Sequence, residues 1–211
     1  LSAAEAAINA DSILQHVRVL SSDAFEGRAP GTRGEDSSVA YITAQFQALG
    51  LEPGNPDGSW TQPVGMVAFT TNPRLRLTVK GKAIPLAFPT DFVGVSRRAV
   101  PEVSLASSEL VFVGYGVVAP EYQWDDYKGM DLTGKTLVML VNDPAVPDPK
   151  NPAALDSAMF RGEAMTYYGR WTYKFEMAAQ RGAKAVLLVH QTFPAGYPWT
   201  TVQSNAREKF D

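Results

Sequence analysis

Ile13, Leu14, Val17 and Leu20 recur at the three- and four-residue spacing that lines one face of a helix, and the run stops at Ser21-Ser22-Asp23. The pattern predicts a first helix over residues 11–22, capped by Asp11. A second helix is predicted over residues 32–49. Thr32 and Glu35 have capping-box spacing, Val39, Ile42, Phe46 and Leu49 form an apolar stripe, and Gly50 ends it, so that Leu51 can fold back onto Phe46. Over residues 74–80 the period shortens. Leu75, Leu77 and Val79 alternate with Arg74, Arg76, Thr78 and Lys80, which predicts a strand with one face on a core, and Gly81-Lys82 suits the hairpin turn after it. Apolar runs at 64–69, 91–95, 109–115 and 136–141 add strand candidates. Near the end, Trp171, Phe175, Ala178 and Ala179 fall at i, i+4, i+7 and i+8, predicting a helix over 167–181. Gly182 supplies its left-handed end, and Ala185 opens a buried strand over 185–190.

Mostly strands with few helices, without strict β-α alternation, reads as an α+β fold and not as a doubly wound sheet. Three prolines and two glycines between 53 and 63 mark a turn-rich connection with helices before it and strands after it. The expected organisation is therefore 1–63 and 64–211.

Composition narrows the partners more than the chemistry. In 211 residues, 45% apolar residues are enough for a folded core, and a net charge of -3 without a basic cluster argues against nucleic acid or an anionic membrane surface. No apolar stretch is long enough to span a membrane, and Leu1-Ser-Ala-Ala-Glu lacks the features of a signal peptide, so a soluble, mature or trimmed form is expected. The absence of cysteine excludes disulfides, thiolate catalysis and cysteine zinc sites.

Gly129-Met-Asp-Leu-Thr-Gly134-Lys135-Thr136 satisfies the phosphate-loop pattern, which is the basis of a distant nucleotide-binding reading. That loop needs a strand before it and a helix after it, whereas the β-like run from Leu137 follows. Gly31-Thr32-Arg33-Gly34 reads as a helix cap, and the adjacent Asp125 and Asp126 as a solvated turn. His16 and His190 each stand without a metal partner nearby in sequence, and no Gly-x-Ser-x-Gly elbow exists. Tyr167, Tyr168, Arg170, Trp171, Tyr173 and Lys174 concentrate aromatic and cationic groups at a helix start. That composition suits a recognition surface, with Trp171 on the stripe that faces the core.

Tyr168-Gly-Arg-Trp-Thr-Tyr-Lys174, Gly182-Ala183 and Ala195-Gly-Tyr-Pro-Trp199 together resemble the protease-associated (PA) domain inserted into di-zinc aminopeptidases of the glutamate carboxypeptidase type. Gly27-Arg28 with Gly31-Thr32 and the helix to Gly50-Leu51 resembles the opening of the peptidase domain, and Asp131-Leu-Thr-Gly-Lys135 resembles the turn before a core strand of the insert. The likeness runs over roughly residues 11–208. It implies a secreted or periplasmic parent that hydrolyses peptides with two zinc ions, and an insert that shapes or lids the substrate cleft. The family's His-x-Asp and Glu-Glu motifs are absent from this sequence, so the chain itself is expected to hold no zinc, to contain no catalytic residue, and to complement a catalytic domain that lies C-terminal to it. Arg170, Lys174, Trp171 and Tyr168 are then the substrate-cleft candidates, Arg170 and Lys174 as neighbours at i and i+4. A free-standing PA module that binds other proteins is the alternative, and a homodimer is open.

Overall fold

The computed structural model describes Glu5, residues 8–204 and the backbone of residues 208–210. By its internal contacts the chain forms two compact units, one reaching to Ala68 and the other spanning Phe69–Lys209. It is mixed helix and sheet, 30% helical and 14% strand, which fits the α+β class. Helix outweighs strand, contrary to the sequence pattern, because the regular strands are only two to five residues long.

In the first unit, α1 (Ala10–Leu20) is capped by Asn9, whose side-chain oxygen accepts from the Ser12 N–H at 2.8 Å. This corrects the expected cap. The chain is already helical at Ala10, so Asp11 lies inside the first turn, where its charge still complements the positive helix end. A 3₁₀ turn at Asp23–Arg28 leads to α2 (Arg33–Ala48). Thr32 caps α2 as expected, accepting from the Glu35 N–H at 3.4 Å, while the Glu35 carboxylate takes the Gly31 N–H at 2.6 Å, one residue beyond the usual return. At the far end the N–H groups of Gly50 and Leu51 bond to the carbonyls of Gln47 and Phe46, the paired closure expected of a helix ending in glycine. His16 Nδ1 lies 2.8 Å from the Tyr41 hydroxyl, linking α1 to α2. Neither helix covers its apolar stripe: α1 has no buried residue, and α2 buries only Gly34 and Ser38.

β1 (Ala68–Thr70), which begins on the last residue of the first stretch, is the only regular part near the predicted strand 64–69, and in the second unit 91–95 forms none. β2 (Leu77–Val79) pairs antiparallel with β3 (Lys82–Ile84), Leu77 opposite Ile84, through a turn with positive φ at Lys80 and Gly81. This hairpin is shorter than the strand expected over 74–80. Val79 remains 47% exposed instead of facing a core.

The core lies further along. β4 (Leu110–Phe112) precedes the small antiparallel hairpin β5 (Val118–Ala119) and β6 (Trp124–Asp125), and β7 (Thr136–Leu140) precedes α3 (Trp171–Gln180) and β8 (Ala185–Val189). The sheet order is β4-β7-β8 and both pairings are parallel, with Leu110 opposite Thr136 and Thr136 opposite Ala185. Parallel neighbours require a crossover, and α3 supplies it between β7 and β8. One buried cluster joins Val113, Tyr127, Leu132, Leu137, Met139 and Ala178; a second joins Val117, Ala119, Phe160 and Tyr173.

The buried face of α3 departs from the predicted stripe. Tyr173, Lys174 and Ala178 are buried, whereas Phe175 and Ala179 are exposed and Trp171 is half-buried. Counting tyrosine and lysine as polar misplaces the stripe, since both can bury an apolar body when the polar tip finds a partner. A single 3₁₀ turn at Tyr167–Gly169 and extended backbone at Arg170 also replace the first turn expected of this helix. Its end is as predicted, with the N–H groups of Gly182 and Ala183 closing onto Ala179 and Ala178.

Candidate functional site

The carboxyl ends of parallel strands form the edge of a sheet where ligand crevices usually lie. Here that edge gathers Tyr115 beyond β4, Asn142 and Asp143 beyond β7, and His190 beyond β8. The turn that begins α3 returns to the same edge. A Cβ on Gly169 would stand 2.8 Å from Asn142 Oδ1 and 3.0 Å from the Asp143 nitrogen, so only glycine permits this approach. Asp143 holds the turn in place: one carboxylate oxygen accepts from the Thr166 N–H at 2.8 Å and from the Thr166 hydroxyl at 2.5 Å. Asn142, at φ 71, donates from Nδ2 to the Pro194 carbonyl at 2.9 Å and so ties in the short α4 (Thr192–Ala195).

Lys174 is wholly buried. Its ammonium donates to the Tyr115 carbonyl at 2.6 Å and to the Tyr168 carbonyl at 3.3 Å, which brings the end of β4 and the 3₁₀ turn onto one helix position. Burial dominates its titration and lowers it from 10.5 to about 8, against the opposing pull of the Asp143 and Asp126 carboxylates. Tyr173, one residue earlier, places its hydroxyl 3.0 Å from the Val118 nitrogen and 3.2 Å from the Val118 oxygen, accepting from the first and donating to the second. Tyr127 donates to the Gly116 carbonyl at 2.9 Å beneath the Arg181 guanidinium, and burial raises its phenol above the ordinary range.

Of the residues proposed for a cleft, Arg170 is exposed, and its side chain makes no capping bond to α3. Trp171 is half-buried, its ring 6.5 Å from that of Tyr197. Tyr168 is also half-buried; it packs against Phe160 and Tyr173, and its hydrogen bond to Glu121 raises the phenol to about 12. The four therefore gather at one end of α3, with Arg170 outermost and Lys174 innermost. The fold adds Tyr115, Asp143, Thr166 and Phe160, none of which carried a local motif. It also packs His190 against Tyr197 and Trp199 in tilted ring pairs, at 5.4 and 5.6 Å between ring centroids. Phe193, in α4, stands 91% exposed.

Residues 129–136 run directly into β7 and not into a helix, and the Lys135 ammonium is paired with Glu109. Among the described residues, no three His, Asp or Glu side chains are grouped as metal ligands, and no helix is long and apolar enough to cross a membrane. No protein-family model, curated protein or solved structure matches this chain.

Proposed function

We propose that this chain is the non-catalytic N-terminal part of a secreted or periplasmic zinc-dependent aminopeptidase, in which residues 64–211 form a protease-associated insert that shapes or lids the substrate cleft. The observation that carries this reading is the uncovered apolar face of α1 and α2, with Ile13 54%, Val17 51% and Phe46 45% exposed. Stripes of this kind are normally buried, and in this reading the remainder of the peptidase domain covers them. The motifs from Tyr168 to Trp199 support the identity of the insert.

His16 Nδ1 meets the Tyr41 hydroxyl, and His190 packs against Tyr197 and Trp199 with both ring nitrogens buried and without a hydrogen-bond partner. In this proposal the metal ligands belong to the rest of the parent, and this chain contributes to binding and orientation of peptide. Arg170 is its substrate-facing group. Lys174 is enclosed and acts by holding the turn that presents Arg170.

The test is the gene product extended beyond Asp211, compared with residues 1–211. The extended protein is expected to hold a zinc pair and cleave an aminoacyl reporter, while the shorter chain retains under ~0.2 zinc per molecule for want of three ligands. Arg170→Ala in the extended protein is expected to lower kcat/KM about tenfold, or ~1.4 kcal/mol for one charged contact. An extended protein without zinc or hydrolysis, or stoichiometric zinc on the shorter chain, overturns the reading.

A further inference from the structure

Lys174 has fewer acceptors than a charged amine requires. Its ammonium carries three N–H donors and meets two carbonyl oxygens, those of Tyr115 and Tyr168. A neutral amine carries two donors and is matched by the same pair. The acidic groups nearest to it are already engaged: Asp143 beyond β7 accepts twice from Thr166, and Asp126 beyond β6 accepts from the Val117 N–H at 2.9 Å and from the Trp124 indole at 2.9 Å. Tyr168, whose hydroxyl meets Glu121, Tyr173 on its own helix, and Tyr115 through its main chain also lie around it.

We propose that opening of the 166–174 segment is coupled to uptake of a proton by Lys174, which makes the turn carrying Arg170 and Trp171 a pH-sensitive element of the fold. Opening returns the side chain to water, where the charged form is favoured; closing returns it to a site matched to the neutral form.

The direction follows from the lowered titration, about 8 in the closed form against 10.5 in water. Below pH 8 the amine is charged in both forms, and the closed form carries the full cost of burying that charge. Between 8 and 10.5 the open form binds a proton that the closed form does not, so rising pH favours closure by up to about tenfold per unit. The phenols of Tyr168 and Tyr173 are held above their ordinary range and do not ionise across most of this window.

Native-state amide exchange of residues 166–174, measured on the whole chain between pH 8 and 9.5 and corrected for the intrinsic base-catalysed rate, tests the coupling. Protection is expected to climb by up to about tenfold per pH unit in the native sequence and to stay level in Lys174→Met, which has no proton to bind. The β2–β3 hairpin is expected to show no such slope in either protein. A level profile in the native sequence, or the same slope in Lys174→Met, overturns the proposal. If the variant does not fold, the side-chain ¹⁵N titration of Lys174 decides in the native protein: a midpoint near 8 supports the coupling, and one near 10.5 overturns it.

Discussion

Removing one oxygen atom at Tyr173 is predicted to destabilise the second unit more than its size suggests. The hydroxyl meets both the N–H and the C=O of Val118, so it occupies the place of a neighbouring strand along β5. Tyr173→Phe leaves the ring among Tyr167 and Tyr168, at 5.8 and 5.1 Å, and creates no cavity beyond that oxygen. The cost therefore comes from two main-chain groups left without a partner in a site where Tyr173 itself is only 8% exposed. At about 1–3 kcal/mol for each buried group, partly relieved by water reaching the rim, the expected loss is about 2–4 kcal/mol. Urea unfolding followed by tryptophan fluorescence is the assay, since Trp124 and Trp171 lie in the same unit. The midpoint is expected to fall with the slope unchanged, the mark of lost stability without a change in the surface exposed on unfolding. Tyr168→Phe is the control. Its hydroxyl meets Glu121 at an exposed edge, so its loss is expected to cost under about 1 kcal/mol. A loss below about 0.5 kcal/mol for Tyr173→Phe, or equal losses for the two variants, refutes this account of Val118.

Phe160→Ala removes a fully buried ring packed against Tyr122, Trp124 and Tyr168, and is expected to cost about 3–5 kcal/mol by the same unfolding assay. Gly169→Ala places a methyl 2.7 Å from Met165 Cγ and 2.8 Å from Asn142 Oδ1, and is expected to cost about 1–3 kcal/mol while releasing amide protection at Thr166; an unchanged melting temperature would show that the turn shifts freely.

Much of the candidate site was visible as composition before it was visible as geometry. Tyr168, Arg170, Trp171 and Lys174 stand out as an aromatic and cationic group, and they do gather at one end of α3. Their roles could not be read there. Lys174 and Arg170 have helical spacing in the sequence, yet one is enclosed and the other exposed, because Arg170 precedes α3 on extended backbone while Lys174 sits on the face of α3 that packs inward. Asp143, Tyr115 and Phe160 carry no local pattern at all and enter only through long-range contacts.

The sequence by itself determined the features that depend on a few neighbouring residues. The ends of α2 and α3 follow from Thr32, Gly50 and Gly182, and the strands at 110–112, 136–140 and 185–189 follow from short apolar runs, because capping bonds and side-chain periodicity are settled within one or two turns of chain. Tertiary structure alone decided the parallel order β4-β7-β8, the inward face of α3 and the burial of Lys174. Tyr173 meets Val118 across 55 residues and Lys174 meets Tyr115 across 59, and no local pattern encodes a partner that distant. Whether a tyrosine or lysine turns inward depends on whether the folded chain brings an acceptor to its polar tip, and that is known only once the sheet and its crossover helix are in place.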